Sequence, residues 1–209
     1  MHINMKKSFL LFLTIFALFQ VVDAQTTVEK IRKHYNEINS NVAEMATWTQ
    51  EYPVPTFYHV EIQENYPGTG KHKEDVYIYH DEIHEESEDD APEIFPPKRI
   101  EFVTVKYNFA ARNFYREYLY DEKGNVEFIY AFNEYDLDDL DWEYRFYFND
   151  GKLIKAIVKQ KSSGSNEGFK EVYNGTSIPK EHSEYYEGFL DKSKHYKKMF
   201  DIISDEQHY

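Results

Sequence analysis

The segment Trp142-Glu143-Tyr144-Arg145-Phe146-Tyr147-Phe148-Asn149-Asp150-Gly151-Lys152-Leu153 alternates with a period of two. Trp142, Tyr144, Phe146 and Phe148 fall on one side, and Glu143, Arg145, Tyr147 and Asn149 on the other. That is the pattern of a strand with one buried face. Asp150-Gly151 follows with the residue types that adopt the positive φ of a tight hairpin turn. A slip of one residue would turn all four rings outward, so the pattern sets which face is buried. It places Phe146 in the core and Tyr147 on the face left for contact.

The same arrangement recurs upstream. Tyr118-Leu119-Tyr120-Asp121-Glu122-Lys123-Gly124-Asn125-Val126 is again an aromatic strand, an acidic residue, a glycine and an aliphatic strand; Val172-Tyr173-Asn174-Gly175 reads as a degraded third copy. Between the first two copies, Phe128, Tyr130 and Phe132 share one strand face, as do Phe114, Tyr118 and Tyr120 before them. Further back, Tyr58, Val60 and Ile62 alternate with His59, Glu61 and Gln63. The turn Pro67-Gly68-Thr69-Gly70 leads to a strand around 76–80. Ile100 to Tyr107 is apolar on both sides, with Ile100 and Phe102 on one and Val103, Val105 and Tyr107 on the other; a central strand covered on both faces has that composition. The acidic run 85–97, ending in Pro96-Pro97, reads as a loop.

A helix is expected at each end. Over 26–46, Thr26 and Glu29 have capping-box spacing, and Val28, Ile31, Tyr35, Ile38, Val42 and Met45 form one stripe. Pro53 and Pro55 end regular structure after Trp48. Over 179–204, Pro179 suits a first turn, and Tyr185, Phe189, Tyr196, Phe200 and Ile203 form the buried stripe. The expected fold is α+β: one twisted antiparallel sheet in meander order with the N-terminal and C-terminal helices packed on it. A small barrel or half-barrel closed by helices is the alternative.

The hairpin spacing resembles the YD…G and MORN-like repeats of many secreted bacterial proteins. The pattern as a whole is similar to uncharacterised small secreted proteins of Gram-negative envelopes. That resemblance implies an exported address and a structural hairpin; it implies no chemistry.

The N-terminus carries the same address. Met5-Lys6-Lys7 opens a positive region, an apolar run follows from Phe9 to Phe19, and Val22-Asp23-Ala24 ends in a small residue. This is the order of a secretory signal peptide, cleaved after Ala24, with residues 25–209 forming one domain. The run is shorter than the roughly 20 apolar residues needed to span a bilayer. No cysteine follows it to accept a lipid, so the expected location is periplasmic or secreted, without a membrane span after cleavage.

Composition excludes several function classes. Among 209 residues, 24 are Lys or Arg and 38 are Asp or Glu, giving a formal charge of -14 that opposes nucleic-acid phosphates and anionic lipid alike. With no cysteine, thiol catalysis, Cys-ligated zinc and iron–sulfur clusters are ruled out. There is no G-x-S-x-G, P-loop, G-x-G-x-x-G or H-E-x-x-H motif, and Gly164-Ser165-Asn166-Glu167-Gly168 has its serine one place early. On a strand, His80, Glu82 and His84 would share a face, and the Glu134–Asp141 run is rich in carboxylates. Neither has a complete ligand set, so no metal and no cofactor are expected. No catalytic residue is assigned.

The aromatic content, 19 Tyr, 16 Phe and 2 Trp, is the remaining signal. Tyr77, Tyr107, Tyr115 and Tyr147 fall on the less apolar face and are the candidate ligand-binding residues, suited to a groove for a sugar, peptide or lipid. The expected function is non-enzymatic binding of a ligand or protein partner through the sheet. The alternatives are a hydrolase of envelope or dietary polymer using a carboxylate pair, and a purely structural or inhibitory protein-contact module.

Overall fold

The computed structural model describes residues 25–43, 56–83, 96–110, 112–136 and 139–206. The expected signal sequence, the Trp48–Pro55 stop, most of the acidic run 85–97 and His84 lie outside them. A helix over residues 25–43 (α1) is followed by eight strands: β1 Thr56–Tyr66, β2 Gly70–Glu82, β3 Lys98–Phe109, β4 Arg112–Tyr120, β5 Val126–Asp136, β6 Leu140–Asn149, β7 Lys152–Ser162 and β8 Lys170–Gly175. A short 3-10 turn, Lys180–His182, leads into a second helix, α2, Ser183–Glu206. The strands form one sheet in the order β1-β2-β3-β4-β5-β6-β7-β8, each antiparallel to its neighbours. The α+β meander expected from the alternation is the architecture found.

The two helices cover opposite faces. On the α2 face, Val76, Ile78, Val103, Val105, Tyr118, Ile129, Tyr144, Phe146 and Phe148 pack with Phe189, Tyr196 and Phe200. On the α1 face, Tyr79, Phe102, Leu119, Phe128, Tyr147 and Ile157 pack with Val28 and Ile31. α2 runs across the strands: Tyr185 meets Tyr144 of β6, Tyr196 meets Tyr118 of β4, and Phe200 meets Tyr58 of β1. From Tyr185 to Phe200 the helix rises about 22 Å, and five interstrand spacings amount to about 24 Å. One apolar stripe therefore touches most of the sheet.

Coverage on both faces corrects the expectation for Tyr147. Its neighbours on that strand face are polar, yet Tyr147 is 2% exposed beneath α1. The alternation distinguishes the two faces without showing that the second one also has a helix over it.

The bulges correct a second assignment. Tyr79 pairs with Phe102 but His80 pairs with Ile100, so Glu101 is an extra residue in β3. Ile100 consequently joins Val103 and Val105 on the α2 face, and Phe102 points to α1. Glu127 is the extra residue in β5 in the same way, between the Leu119–Phe128 and Tyr120–Val126 pairs. Glu101 and Glu127 border one hollow with His34 of α1, whose Nδ1 meets the Glu127 carboxylate. That contact raises the His34 pKa.

The two hairpins that look alike in sequence turn differently. Asp150 and Gly151 have φ of 47° and 73°, both positive as a two-residue hairpin turn requires. At Asp121–Asn125 the aspartate carboxylate instead accepts from the Lys123 and Asn125 amides at 2.9 and 2.8 Å. The third copy is not a hairpin, because β8 ends at Gly175 and the chain passes to the 3-10 turn.

His80, considered from the sequence as a metal ligand, is buried on the α2 face against Tyr58 and Phe200. Among the described residues no three His, Asp or Glu come together as a metal site. Burial, aided by the Lys98 charge, pushes the His80 pKa down to about 4. Its folded pKa lies below the unfolded value, so the associated stability is present above about pH 6.5 and is lost as pH falls toward 4. Acidification from pH 7 to 4.5 is expected to cost about 2 kcal/mol through this group. Urea unfolding of the parent and of His80→Phe at both pH values measures it: the gap between the two pH values should shrink in the variant. An unchanged gap would contradict the assignment.

Candidate functional site

The strand register assembles the site on the α1 face. Glu117 of β4 pairs with Tyr130 of β5, which pairs with Arg145 of β6. One step along, Leu119, Phe128 and Tyr147 form the neighbouring row. One step the other way lie Tyr115, Phe132 and Glu143. Because side chains of one parity share a face, these nine residues form a continuous patch. α1 crosses it obliquely and brings Ile31, Arg32, Tyr35 and Asn36 to its rim, enclosing a cleft of about 480 Å³.

Glu117 sits at the floor, 5% exposed. The Tyr35 hydroxyl donates to its Oε2 at 2.5 Å and the Tyr115 hydroxyl to its Oε1 at 2.6 Å. Burial raises the Glu117 pKa, and the two tyrosine hydrogen bonds and the Arg145 charge oppose that rise. Burial likewise raises both tyrosines, reinforced by the Glu117 charge, so they remain donors. The Tyr130 hydroxyl, pushed up to about 12 mainly by burial, donates to Glu143 Oε2 at 3.4 Å.

The cations stand over aromatic faces. The Arg32 guanidinium lies 5.5 Å from the Tyr147 ring centroid, and its Nε donates to the Tyr147 hydroxyl at 3.3 Å. The Arg145 guanidinium lies 5.8 Å from the Tyr130 centroid. Arg145 Nε approaches Glu143 Oε1 to 2.9 Å, and Lys159 Nζ lies 3.5 Å from the same oxygen. Despite that proximity the Arg145–Glu143 contact is not aligned as a hydrogen bond, and both atoms are buried without one. Buried polar atoms are nearly always satisfied by protein, water or ligand, and of this pair Arg145 lines the cleft.

Of the four tyrosines picked out in the sequence, the cleft brings together Tyr115 and Tyr147. Tyr77 is on the same face but over β2, stacked on His59 at 4.3 Å. Tyr107 is on the opposite face, stacked on Phe114 at 4.7 Å and accepting from Arg116 Nη2 at 3.0 Å. It shares its side with Val103 and Val105, as strand parity requires. A depression of about 400 Å³ at the β3–β4 end does touch both Tyr107 and Tyr115. A larger hollow of about 560 Å³ on the outer side of α1 is lined by Glu29, Arg32, Lys33 and their neighbours. Neither holds a deeply buried charge, whereas the cleft has Glu117 at its floor.

Sequence reading missed Glu117, Tyr130, Arg145, Arg32 and Tyr35 as site residues. Parity puts Glu117 beside Tyr115 and Arg145 beside Tyr147, which is a usable signal. The cross-strand row Glu117–Tyr130–Arg145 depends on register and on the β5 bulge, and the α1 contribution depends on tertiary packing.

Comparison of the chain with profiles of known protein families, with curated proteins and with solved structures finds no match.

Proposed function

We propose that this chain is an exported, non-enzymatic protein that binds a small ligand in the cleft between α1 and strands β4–β6. The observation that carries the reading is the buried Glu117 carboxylate, clamped by two tyrosine hydroxyls beneath aromatic walls and two arginines. Tyr130 supplies a partly exposed aromatic surface, backed by the buried Phe128 and Tyr147; Arg32, Arg145 and Asn36 supply a few polar groups that orient a ligand. That mixture of mostly apolar lining with few convergent polar groups is what small-molecule sites use. Export rests on the N-terminal sequence pattern, and mass spectrometry of protein from the native host's envelope tests it, with Gln25 expected at or near the N-terminus.

A hydrolase is the second reading, favoured by a raised-pKa glutamate on the same face as Glu143. Both Glu117 oxygens, however, already accept from tyrosine, and Tyr130 of the intervening strand stands between the two carboxylates. That arrangement positions tyrosines better than it protonates a leaving group.

The test is a thermal-shift screen of small carbohydrates, carboxylates and peptides against the parent and Tyr130→Ala. A ligand that raises the melting temperature of the parent by several degrees, but not that of the variant, is the expected result. Turnover of a ligand, abolished in Glu117→Gln, would replace the binder with the hydrolase.

A further inference from the structure

We infer that the ligand of this cleft carries a carboxylate attached to a ring, held by Arg32 and Arg145 while the ring lies against Tyr130. The inference rests on the cleft being the binding site and concerns what the site selects.

The chain has five arginines, and two of them line this one cleft in a protein of net charge -14. Such a field repels anions in general, so an anionic ligand needs a local exception, and the cleft is one. Among the described residues no carboxylate pairs with Arg32, whose only polar contact is the 3.3 Å bond to the Tyr147 hydroxyl. Arg145 approaches Glu143 most closely through Nε, and that contact is misaligned. Among the described residues the terminal nitrogens of both guanidinium groups make no hydrogen bond. Lys159 also lies beside Glu143, so Glu143 does not fully neutralise Arg145. Arginine presents a planar fork of donors that matches a carboxylate edge to edge, and the resulting charge-assisted bonds are the strong ones.

Register fixes where the body of the ligand lies. Phe128 pairs with Tyr147, and Tyr130 pairs with Arg145, in a two-by-two block. Arg32 lies over Tyr147 and Arg145 over Tyr130, so both cations border the same block of rings. A carboxylate held there carries its ring onto Tyr130, the partly exposed ring of the block. Glu117, one strand further on, is already engaged by Tyr35 and Tyr115 and closes the far end to a second negative charge. The ligand is thus a monoanion. A hexuronic acid and a benzoic acid share this chemistry.

Calorimetric titration of the purified protein tests it with four probes: galacturonate, its neutral counterpart galactose, 4-hydroxybenzoate, and its neutral counterpart 4-hydroxybenzamide. At least one carboxylate should bind at least tenfold more tightly than its neutral partner. Arg32→Gln and Arg145→Gln should each weaken that carboxylate about tenfold or more, and leave the neutral partner unchanged. Melting temperatures without probe separate a binding loss from a folding loss; Lys159→Gln removes a cation beside Glu143 that does not line the cleft and serves as a second variant, expected to have a smaller effect. Preference for the sugar acid identifies a carbohydrate source, and preference for the benzoate an aromatic one. Equal binding of acid and neutral partner, insensitive to both arginine changes, overturns the carboxylate inference while leaving the cleft as a binding site. Absence of binding by all four, in a protein that binds some other small molecule lacking a carboxylate, overturns it likewise. Absence of any small-molecule binding overturns both.

Discussion

Phe146→Ala is expected to lower the free energy of unfolding by about 3–5 kcal/mol, the range for deleting a fully buried aromatic side chain. Phe146 is fully buried between the rings of Tyr144, Tyr186 and Phe189, at the centre of the α2 face. The lost transfer free energy and the cavity left behind act together, because the surrounding rings relax only in part. Such a loss is a large fraction of the stability of an ordinary domain. Urea unfolding measures it. Amide exchange should also quicken first along α2, which loses its anchor to β6. A variant as stable as the parent would mean that the sheet faces are reversed.

Tyr147→Ala is expected to cost nearly as much, about 3–4 kcal/mol. Tyr147 is on the other face of the same strand, packed on Phe128 at 4.9 Å and capped by Arg32 of α1. Here the exchange should quicken along α1 rather than α2. Tyr147→Phe keeps the ring and loses only the bond from Arg32, so it should cost about 1 kcal/mol. The contrast between the two variants separates packing from the hydroxyl. If Tyr147→Ala were nearly neutral, α1 would not be seated on this row.

Much of the fold was legible because the rule behind it is local. Trp142 to Phe148 alternate strictly, and Asp150-Gly151 provide the turn, so strand, turn and buried face follow from seven residues and a dipeptide. The helix stripes at Val28–Ile31–Tyr35 and Tyr185–Phe189–Tyr196 follow from period alone. The second covered face was not legible. Tyr147 has a polar neighbour on each side, Arg145 and Asn149 at the same parity, and only the arrival of α1 buries it. The Ile100–Phe102 assignment failed for a different reason: one extra residue, Glu101, reverses parity within the strand, and nothing in its side chain marks a bulge.

The candidate site was half legible for the same reasons. Tyr115 and Tyr147 are aromatic residues on a mixed face, and both line the cleft. Tyr107 was grouped with them by residue type, although its own strand parity places it with Val103 and Val105 on the α2 side. Glu117, Tyr130 and Arg145 come from three strands and meet only through register. Arg32 and Tyr35 come from a helix more than eighty residues away in the chain.

The bulges also tie the site to the anchoring of α1. Glu101 and Glu127 are displaced from the regular pairing and face His34, while Tyr35, the next residue, reaches Glu117. The raised His34 pKa means that its contribution is present below about pH 6.5 and is lost as pH rises through the folded value. Glu117 and Glu101 are raised by burial, so their ionisation with rising pH opposes the folded state in the same direction.

Chemical-shift mapping of the backbone amides during titration with galacturonate and, separately, 4-hydroxybenzoate tests the binding cleft most directly. The account predicts that at least one probe perturbs a saturable set of amides centred on Arg32, Tyr35, Glu117, Tyr130, Arg145 and Tyr147, with little change around Tyr107 and Phe114 on the other face. Perturbations confined to the α2 face would contradict the cleft, and none with either probe at millimolar concentration would contradict its selection of a ring carboxylate.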